Sequence, residues 1–495
     1  MSGASPDACR ARTKCVRWPH SYGDRGQVPG QNQAATHVQL HLQRRAFLGA
    51  TGGLNRRPAL PGMGQLSTAV LADSSVSRER MRALQRLGIV CGITAGAWLG
   101  AAEVPTKLVS SGLSPFLISF VMVAGVFIGR WSLPAMVHGT SSVSSDVGNT
   151  PHLIIWAIIA GCLWAVANTL TIFAIRDLGL SIAFPLWNTN AVIGMVWGIL
   201  FFHELRHAGW RRWAAVCGGV ALMFVGGMIL ARISAHQISS ASATKGITAA
   251  LGAGLLWGTM YIPYRKAYLS GMNPLSFVSF FTIGELGMMT VLAVHYLGGV
   301  GSLMRQLSGA YHLLFWLLAA GFVWVLGDLA QQYAVKYVGV SRGIPLSNSN
   351  QLWGLLWGAV AFGEMRTWGH SATMGVIYGS LLMAAGLVAI SFSTAGESEH
   401  AKWRQAAERE RSRYDIDADF VSASLAGKSA TPRKSKTWLD WLLVILATAV
   451  FAWTGSVAQR PPLILNWPAV YVLISVALVL LGITAISLWK TTRFN

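Results

Sequence analysis

Charged side chains are scarce in this 495-residue chain. Asp, Glu, Lys and Arg make up 12% of its residues, whereas a soluble domain carries about 25%. Hydrophobic residues account for 53%, and the mean hydropathy is +0.47. This balance excludes an ordinary water-soluble domain and indicates a protein that lies mostly in lipid.

Cysteines are few, and no two of them form a Cys-x-x-Cys pair. The five are Cys9, Cys15, Cys91, Cys162 and Cys217, and their spacing predicts neither a metal site nor a disulfide framework. The apolar segments also lack a His-Glu-x-x-His sequence, a nucleophile elbow, a P-loop and a clustered His/Asp set. We therefore expect no enzyme activity and no cofactor.

Long apolar runs dominate the chain instead. An α-helix needs roughly 20 apolar residues to cross about 30 Å of hydrocarbon. Twelve such runs lie near residues 87–107, 115–137, 153–175, 180–202, 213–231, 246–264, 274–297, 312–335, 340–363, 372–393, 437–457 and 463–488. The sequence thus predicts an all-α polytopic membrane protein.

Acidic residues are half as common as basic ones, with 19 Asp and Glu against 39 Lys and Arg. Nucleic-acid binding would account for the net charge of +20. The basic residues, however, lie in the N-terminal tail, in loops and after the tenth helix, as the positive-inside rule expects. We predict no nucleic-acid partner, a multi-pass protein of the cell membrane, and cytoplasmic N- and C-termini, with Arg130 and Lys336 on the cytoplasmic side.

The chain divides into five predicted segments. Residues 1–80 form a basic tail that is expected to be disordered, or to precede a true start at Met63 or Met81. Residues 81–232 and 245–393 hold five helices each. Residues 394–436 form a charged cytoplasmic linker with a short surface helix, and residues 437–495 form a two-helix extension.

An internal repeat is the most specific feature of the sequence. Residues 164–204 align with residues 324–364 without a gap. Five helices are an odd number, so the second copy enters the membrane from the opposite side, as in secondary transporters. The predicted fold is therefore an inverted repeat of 5+5 transmembrane helices plus two extra C-terminal ones. The matched pairs include Trp164 and Trp324, Pro185 and Pro345, Asn188 and Asn348, Asn190 and Asn350, Trp197 and Trp357, and Glu204 and Glu364.

The fourth and ninth predicted helices share the sequence Pro-Leu-x-Asn-x-Asn. A proline removes one backbone donor and clashes with the carbonyl four residues earlier, which leaves acceptors at Ser181 and Ser341. Amides can bond to hydroxyls and tryptophans offer flat apolar walls, although helix packing would also use such residues. The candidate substrate-binding residues are Asn168, Asn188, Asn190, Trp197, Trp257, Asp328, Gln331, Asn348, Asn350 and Trp357.

Carboxylates inside the predicted helices are rare, namely Glu103, Glu285 and Asp328. Such a group in hydrocarbon must pair, face water or be neutral, and desolvation favours the neutral form. We hypothesise that Glu285 or Glu103 couples transport to protons. The alternative is a structural pair with a basic residue such as Lys107.

The segment Trp-Gly-Thr-Met-Tyr-Ile-Pro-Tyr-Arg-Lys, from Trp257 to Lys266, has a weaker counterpart from Trp98 to Lys107. Together with the two Trp-Gly helix ends that finish in Glu204 and Glu364, it resembles the drug/metabolite transporter superfamily and, within it, the glucose/ribose-type sugar-uptake porters. The resemblance covers residues 87 to about 393. It implies a ten-helix carrier with a central cavity that takes up carbohydrates with protons.

Two features depart from that family pattern. Glu103 stands where a neutral residue is expected. The last two helices lie outside the ten-helix plan, and we suggest for them a role in dimerisation or stability.

The sequence thus predicts a secondary active transporter, a symporter of protons and a small polar metabolite such as a sugar or polyol, working by alternating access in the lipid bilayer. The alternatives are an exporter or exchanger of amino acids, drugs or nucleotide sugars, and a non-transporting sensor or scaffold. A homodimer is a further prediction.

Overall fold

The structure, a computed structural model, describes residues 63–109, 112–202, 209–237, 240–366, 368–391, 397–428, 435–459 and 465–494. Every regular element within these ranges is helical. The predicted all-α polytopic fold class is confirmed. Most of the N-terminal tail and Glu204 lie outside the described residues. The chain divides into two compact units, Met1–Ala72 and Asp73–Asn495, and the sites discussed below lie in the second.

The first predicted repeat is built from seven α-helices. They are α1 (Met63–Val109), α2 (Pro115–Val137), α3 (Thr140–Asn149), α4 (Leu153–Leu178), α5 (Leu180–Trp187), α6 (Asn190–Phe202) and α7 (Trp210–Gln237). Ser114 precedes Pro115 and Asn273 precedes Pro274, each at the start of a helix. Proline is favoured at the first position of a helix because its fixed φ suits the first turn.

The second predicted repeat follows the same order. It comprises α8 (Ser240–Leu269), α9 (Pro274–Tyr296), α10 (Val300–Gly309), α11 (Leu314–Val338), α12 (Val340–Ser347), α13 (Asn350–Leu356) and α14 (His370–Ser391). A 3₁₀ turn at Tyr311–Leu313 precedes α11, and a π-helical turn at Trp357–Ala361 follows α13.

The predicted linker contains α15 (Glu397–Tyr414) and α16 (Ala418–Leu425), and the extension contains α17 (Trp438–Ser456) and α18 (Trp467–Thr492). The surface helix predicted in the linker is therefore present as α15.

Nine helical stretches in the described part of the chain are long and apolar enough to cross a membrane, with α5 and α6 counted together as Leu180–Phe202. The predicted spans near 246–264, 340–363 and 372–393 are helical but are not among the nine. The stretch near 340–363 has the same division, between α12 and α13, but its α-helical part ends at Leu356 where the π-helical turn begins, so it is shorter than Leu180–Phe202. The 5+5+2 arrangement consequently stays a prediction.

Contacts between the two copies are reciprocal. A methyl group on Gly125 of α2 would lie 2.2 Å from the Leu318 carbonyl oxygen of α11, and one on Gly284 of α9 would lie 2.1 Å from the Ile158 carbonyl oxygen of α4. These four residues occupy equivalent positions in the two copies. The α2–α11 and α4–α9 crossings are thus the same close approach made twice, which supports the predicted two-fold relation.

The C-terminal extension is bonded to the helix bundle. The indole Nε1 of Trp98 donates to the Ala477 carbonyl at 2.9 Å, and the hydroxyls of Thr94 and Thr484 are 2.7 Å apart. Near the chain end, the Tyr333 hydroxyl donates to the Phe494 carbonyl at 2.7 Å. Helix α18 therefore lines α1 along its length, a placement consistent with a stabilising role.

Candidate functional site

Two broken helices meet at the centre of the bundle. Helix α5 ends at Trp187 and α6 begins at Asn190, while α12 ends at Ser347 and α13 begins at Asn350. Each break falls three residues beyond a proline, Pro185 or Pro345. The Asn188 carbonyl there accepts from the Ala191 amide, a shorter-range bond than an α-helix makes. The breaks leave backbone carbonyls that need donors.

The asparagines of the shared motif provide those donors across the two copies. Asn188 Nδ2 donates to the Asn348 carbonyl at 3.1 Å and to Asn350 Oδ1 at 2.6 Å. Asn348 Nδ2 donates to the Asn188 carbonyl at 3.0 Å and to Asn190 Oδ1 at 2.6 Å. The four amides form one closed network, and each half repeats the other.

A small cavity of about 30 Å³ lies beside this network. Of the residues predicted from sequence, it is lined by Glu103, Asn190, Trp257, Gln331, Asn348 and Asn350. By this measure a cavity needs about 10–15 Å³ to hold one water, so the space admits only a few waters. Helices α1, α6, α8, α11 and α13 all contribute, and the two copies converge on one point.

Six further lining residues were not predicted from sequence. They are Leu99, Phe184, Trp187, Met260, Tyr261 and Trp324. Trp187 and Trp257 pack edge to face with ring centroids 5.9 Å apart. An aromatic residue in an apolar helix normally indicates packing. The sequence signal that could have predicted Trp187 as a lining residue is its position within the Pro-Leu-x-Asn-x-Asn motif.

Glu103 is the acidic residue of this cavity. It is 2% exposed, and its Oε2 atom has no hydrogen-bond partner among the described residues. The sequence alternative, a pair with Lys107, is wrong for Glu103, because the Lys107 ammonium lies 3.1 Å from Glu364 Oε1 instead. Glu364 also accepts from the Leu180 and Ser181 backbone amides, and so caps the start of α5.

The other two buried carboxylates share one arginine. Arg130 Nη1 lies 2.8 Å from Glu285 Oε2, and its Nη2 lies 2.6 Å from Asp328 Oδ2. All three side chains are fully buried. The guanidinium carbon is 4.4 Å from the Phe281 ring centroid and 5.1 Å from that of Trp324. Trp324 also lines the cavity and therefore separates it from this ion triad.

The placement of Arg130 corrects the topological prediction. A count of basic residues put Arg130 in the cytoplasm, but it lies inside α2 and is 0% exposed. The signal that could have found it is electrostatic, because two carboxylates within apolar helices require a basic partner.

Six of the predicted site residues do not line the cavity. Asn188 belongs to the amide network beside it, and Asn168 donates to Ser119 Oγ at 2.8 Å in the core. Trp197 is half-buried and donates to Thr259 Oγ1 at 3.2 Å. Trp357 packs against Val104 in a separate apolar cluster. Asp328 and Glu285, in the triad, also lie outside the cavity lining.

Comparison with known proteins decides the family. The family model described as "Sugar transport protein" matches residues 120–233 and 248–411, more than half of the chain. The chain belongs to the Sugar transport protein family. The matched ranges include both broken helices, the amide network and the ion triad.

Individual relatives match shorter stretches. "Transmembrane protein 144 homolog A" of Dictyostelium discoideum is 25% identical over 34% of this chain and 44% of its own length. A candidate sugar uptake protein of Listeria innocua is 24% identical over 47% of this chain and 77% of its own length. One from Lactobacillus johnsonii is 31% identical over 23% of this chain and 40% of its own length. This member of the Sugar transport protein family thus spans less than half of the Dictyostelium relative.

Proposed function

We propose that this protein is a secondary active transporter that carries a sugar or polyol across the membrane together with protons. The observation that supports it most is the cavity at the junction of two broken helices, lined by amides and tryptophans. Irregular backbone at membrane depth is tolerated where it is buried in protein or lines a cavity, and transporters bind their substrates at such helix breaks. Membership of the Sugar transport protein family and the names of the bacterial relatives favour a sugar.

The lining suits a polyhydroxylated molecule. Asn190, Asn350 and Gln331 can each donate to and accept from hydroxyl groups. Trp257 and Trp324 present flat apolar surfaces, and such surfaces can stack on the C–H face of a sugar ring. These residues come from both copies of the repeat, so that the substrate would contact both.

The narrow cavity fits alternating access. A space of about 30 Å³ cannot hold a monosaccharide, so α1 and α8 must separate from the broken helices to admit one. The amide network of Asn188 and Asn348 ties the two halves together. In this mechanism the network is the pivot about which one half rocks against the other.

Glu103 is the proposed proton-coupling group. It lines the cavity and its Oε2 atom has no hydrogen-bond donor in the described part of the chain. Ionisable side chains that face a cavity inside the membrane commonly mark proton and substrate pathways. Glu285, the other hypothesis, is held by Arg130 at 2.8 Å, and this pair is better suited to holding α2 against α9.

The experiment is uptake of a labelled monosaccharide and polyol panel into proteoliposomes, with and without an inward proton gradient. The proposal predicts that one sugar accumulates only with the gradient. Accumulation of solute inside everted vesicles, or flux of amino acids but no sugars, would favour an exporter of the same fold. Binding without flux of any solute would overturn the transport proposal in favour of a sensor.

A further inference from the structure

A second and much larger cavity lies beneath the linker helices. It has a volume of about 510 Å³ and is lined by α15 and α16 together with residues 80–85 of α1 and the C-terminal ends of α8 and α11. Ligand pockets typically measure about 300–1,000 Å³. It shares no lining residue with the proposed transport cavity, so any ligand here would be distinct from the transported solute.

The charges that face this cavity are unbalanced. One acidic residue, Glu408, is part of the lining, and it is already paired with Arg411, whose Nε lies 2.9 Å from both of its carboxylate oxygens. The basic lining residues are Arg80, Arg265, Lys336, Arg404 and Arg411. The cavity is thus strongly positive after this ion pair has been taken into account.

Two of these cations are available to a ligand. Within the described residues, Lys336 forms no hydrogen bond or ion pair, and its ammonium lies 5.9 Å from the Tyr337 ring centroid. The acidic residue that interacts with it electrostatically is Asp146, whose carboxylate accepts hydrogen bonds from Ser276 and Asn273 instead. Arg404 is exposed on α15. Lys336 lines the cavity from α11 in the helix bundle, and Arg404 lines it from α15 in the linker.

The remaining lining is apolar and aromatic. The buried Arg265 guanidinium lies 4.1 Å from the Trp403 ring centroid, which holds both groups flat at the cavity wall. Leu84, Leu269 and Val421 provide apolar walls. A ligand that carries an anionic head on a less polar body would match both surfaces.

The linker is fixed over the cavity by specific contacts. Lys266 Nζ lies 2.8 Å from Glu410 Oε2, and Tyr414 stacks on His152 with ring centroids 3.6 Å apart. The positive-inside rule accounts for basic residues in a loop region. It does not account for five of them facing one enclosed space that the linker covers.

We propose that this cavity is a binding site for a phosphate-bearing ligand. Arg and Lys are the residues that recognise phosphate, through charge-assisted hydrogen bonds and ion pairs. Two sources share this chemistry, a soluble phosphate monoester and the headgroup of an anionic phospholipid. Either would connect the linker helices to α1 and to the C-terminal ends of α8 and α11.

The test compares two double variants that remove the same charge. Lys336→Gln with Arg404→Gln removes two cavity cations. Lys402→Gln with Arg409→Gln removes two basic residues of α15 that do not line the cavity. The full-length proteins are placed in phosphatidylcholine nanodiscs, and thermal melting first checks that both fold.

Two probes separate the sources. Binding of glucose 6-phosphate, with glucose as the uncharged control, is measured by calorimetry. Retention of phosphatidylglycerol, added to the nanodiscs, is measured by native mass spectrometry. We expect one probe to bind the parent protein and the Lys402/Arg409 control equally. The cavity variant should bind that probe at least about tenfold more weakly, a loss of about 1.4 kcal/mol or more, because it lacks two charged hydrogen-bond donors.

The probe that shows this pattern identifies the source. The site proposal is overturned if neither probe binds the parent protein, or if both double variants lose binding equally. These readouts do not depend on sugar flux, so that failure here is distinguishable from failure of the transport proposal.

Discussion

Asn188 and Asn348 each donate a side-chain amide to the backbone carbonyl of the other, at 3.1 and 3.0 Å. The two residues occupy the same position in the two copies of the repeat. Each bond supplies a donor to a carbonyl at the helix break of the other copy. The pair of bonds thus joins the two copies beside the proposed transport cavity.

Removing either asparagine should therefore have the same effect. Asn188→Ala and Asn348→Ala each leave a buried carbonyl without its donor, which costs about 1–3 kcal/mol. The double variant should cost less than the sum, because both changes break one network. Unfolding in mixed micelles measures these free energies, with Asn149→Ala as a control that loses only a bond to Ser145 within α3. Additive costs would contradict a shared network.

Removing Arg130 alone from the ion triad should destabilise the protein far more than replacing all three charged residues together. Arg130→Met leaves two buried carboxylates unpaired and should destabilise the protein by about 3–5 kcal/mol. Arg130→Met combined with Glu285→Gln and Asp328→Asn should recover most of that loss, because no charge is then buried. Thermal melting in detergent checks both. A single Arg130→Met variant that melts with the parent protein would show that the triad does not stabilise the bundle.

Two glycines of α9 allow a matched test of the close α4–α9 crossing. A methyl on Gly284 would lie 2.1 Å from the Ile158 carbonyl oxygen, whereas one on Gly287 meets nothing within 4 Å. Gly284→Ala should force α9 away from α4 and lower the melting temperature by several degrees. Gly287→Ala should be neutral or slightly stabilising, because alanine favours a helix. Equal melting temperatures for the two variants would rule out a close α4–α9 approach.

Proton coupling should depend on Glu103. Glu103→Gln keeps the size of the side chain but cannot exchange a proton, so gradient-driven accumulation should fall to the level without a gradient. Exchange of sugar against sugar, which needs no net proton movement, should persist. Uptake assays in proteoliposomes at several pH values measure both. Unchanged, still pH-dependent accumulation by Glu103→Gln would remove Glu103 from the mechanism.

The sequence predicted the features that depend on local pattern. Apolar runs of membrane-spanning length indicated an all-α membrane protein. The shared Pro-Leu-x-Asn-x-Asn motif predicted free carbonyl acceptors in the spans near 180–202 and 340–363, but not that both spans are broken at the first asparagine of the motif. Asn190 and Asn350 were selected because both follow a proline at equal spacing, and both line the cavity.

Features that depend on distant partners were harder to predict. Arg130 pairs with Glu285 and Asp328, which are 155 and 198 residues away in sequence, and no local pattern reports such a pairing. Trp357 matches Trp197 in the repeat, yet neither lines the cavity, because helical spacing fixes a residue's face but not which neighbour that face meets.

The most direct test is gradient-driven accumulation of one labelled sugar by the parent protein and three asparagine variants. Asn190→Ala and Asn350→Ala change the cavity lining, and Asn168→Ala changes a buried asparagine of α4 outside it. With rates normalised to folded protein, the account predicts at least about a tenfold loss of kcat/KM for the two cavity variants and near-parental uptake for Asn168→Ala. Equal uptake by all four proteins, or no sugar accumulated by the parent, would contradict a transport site at the junction of the broken helices.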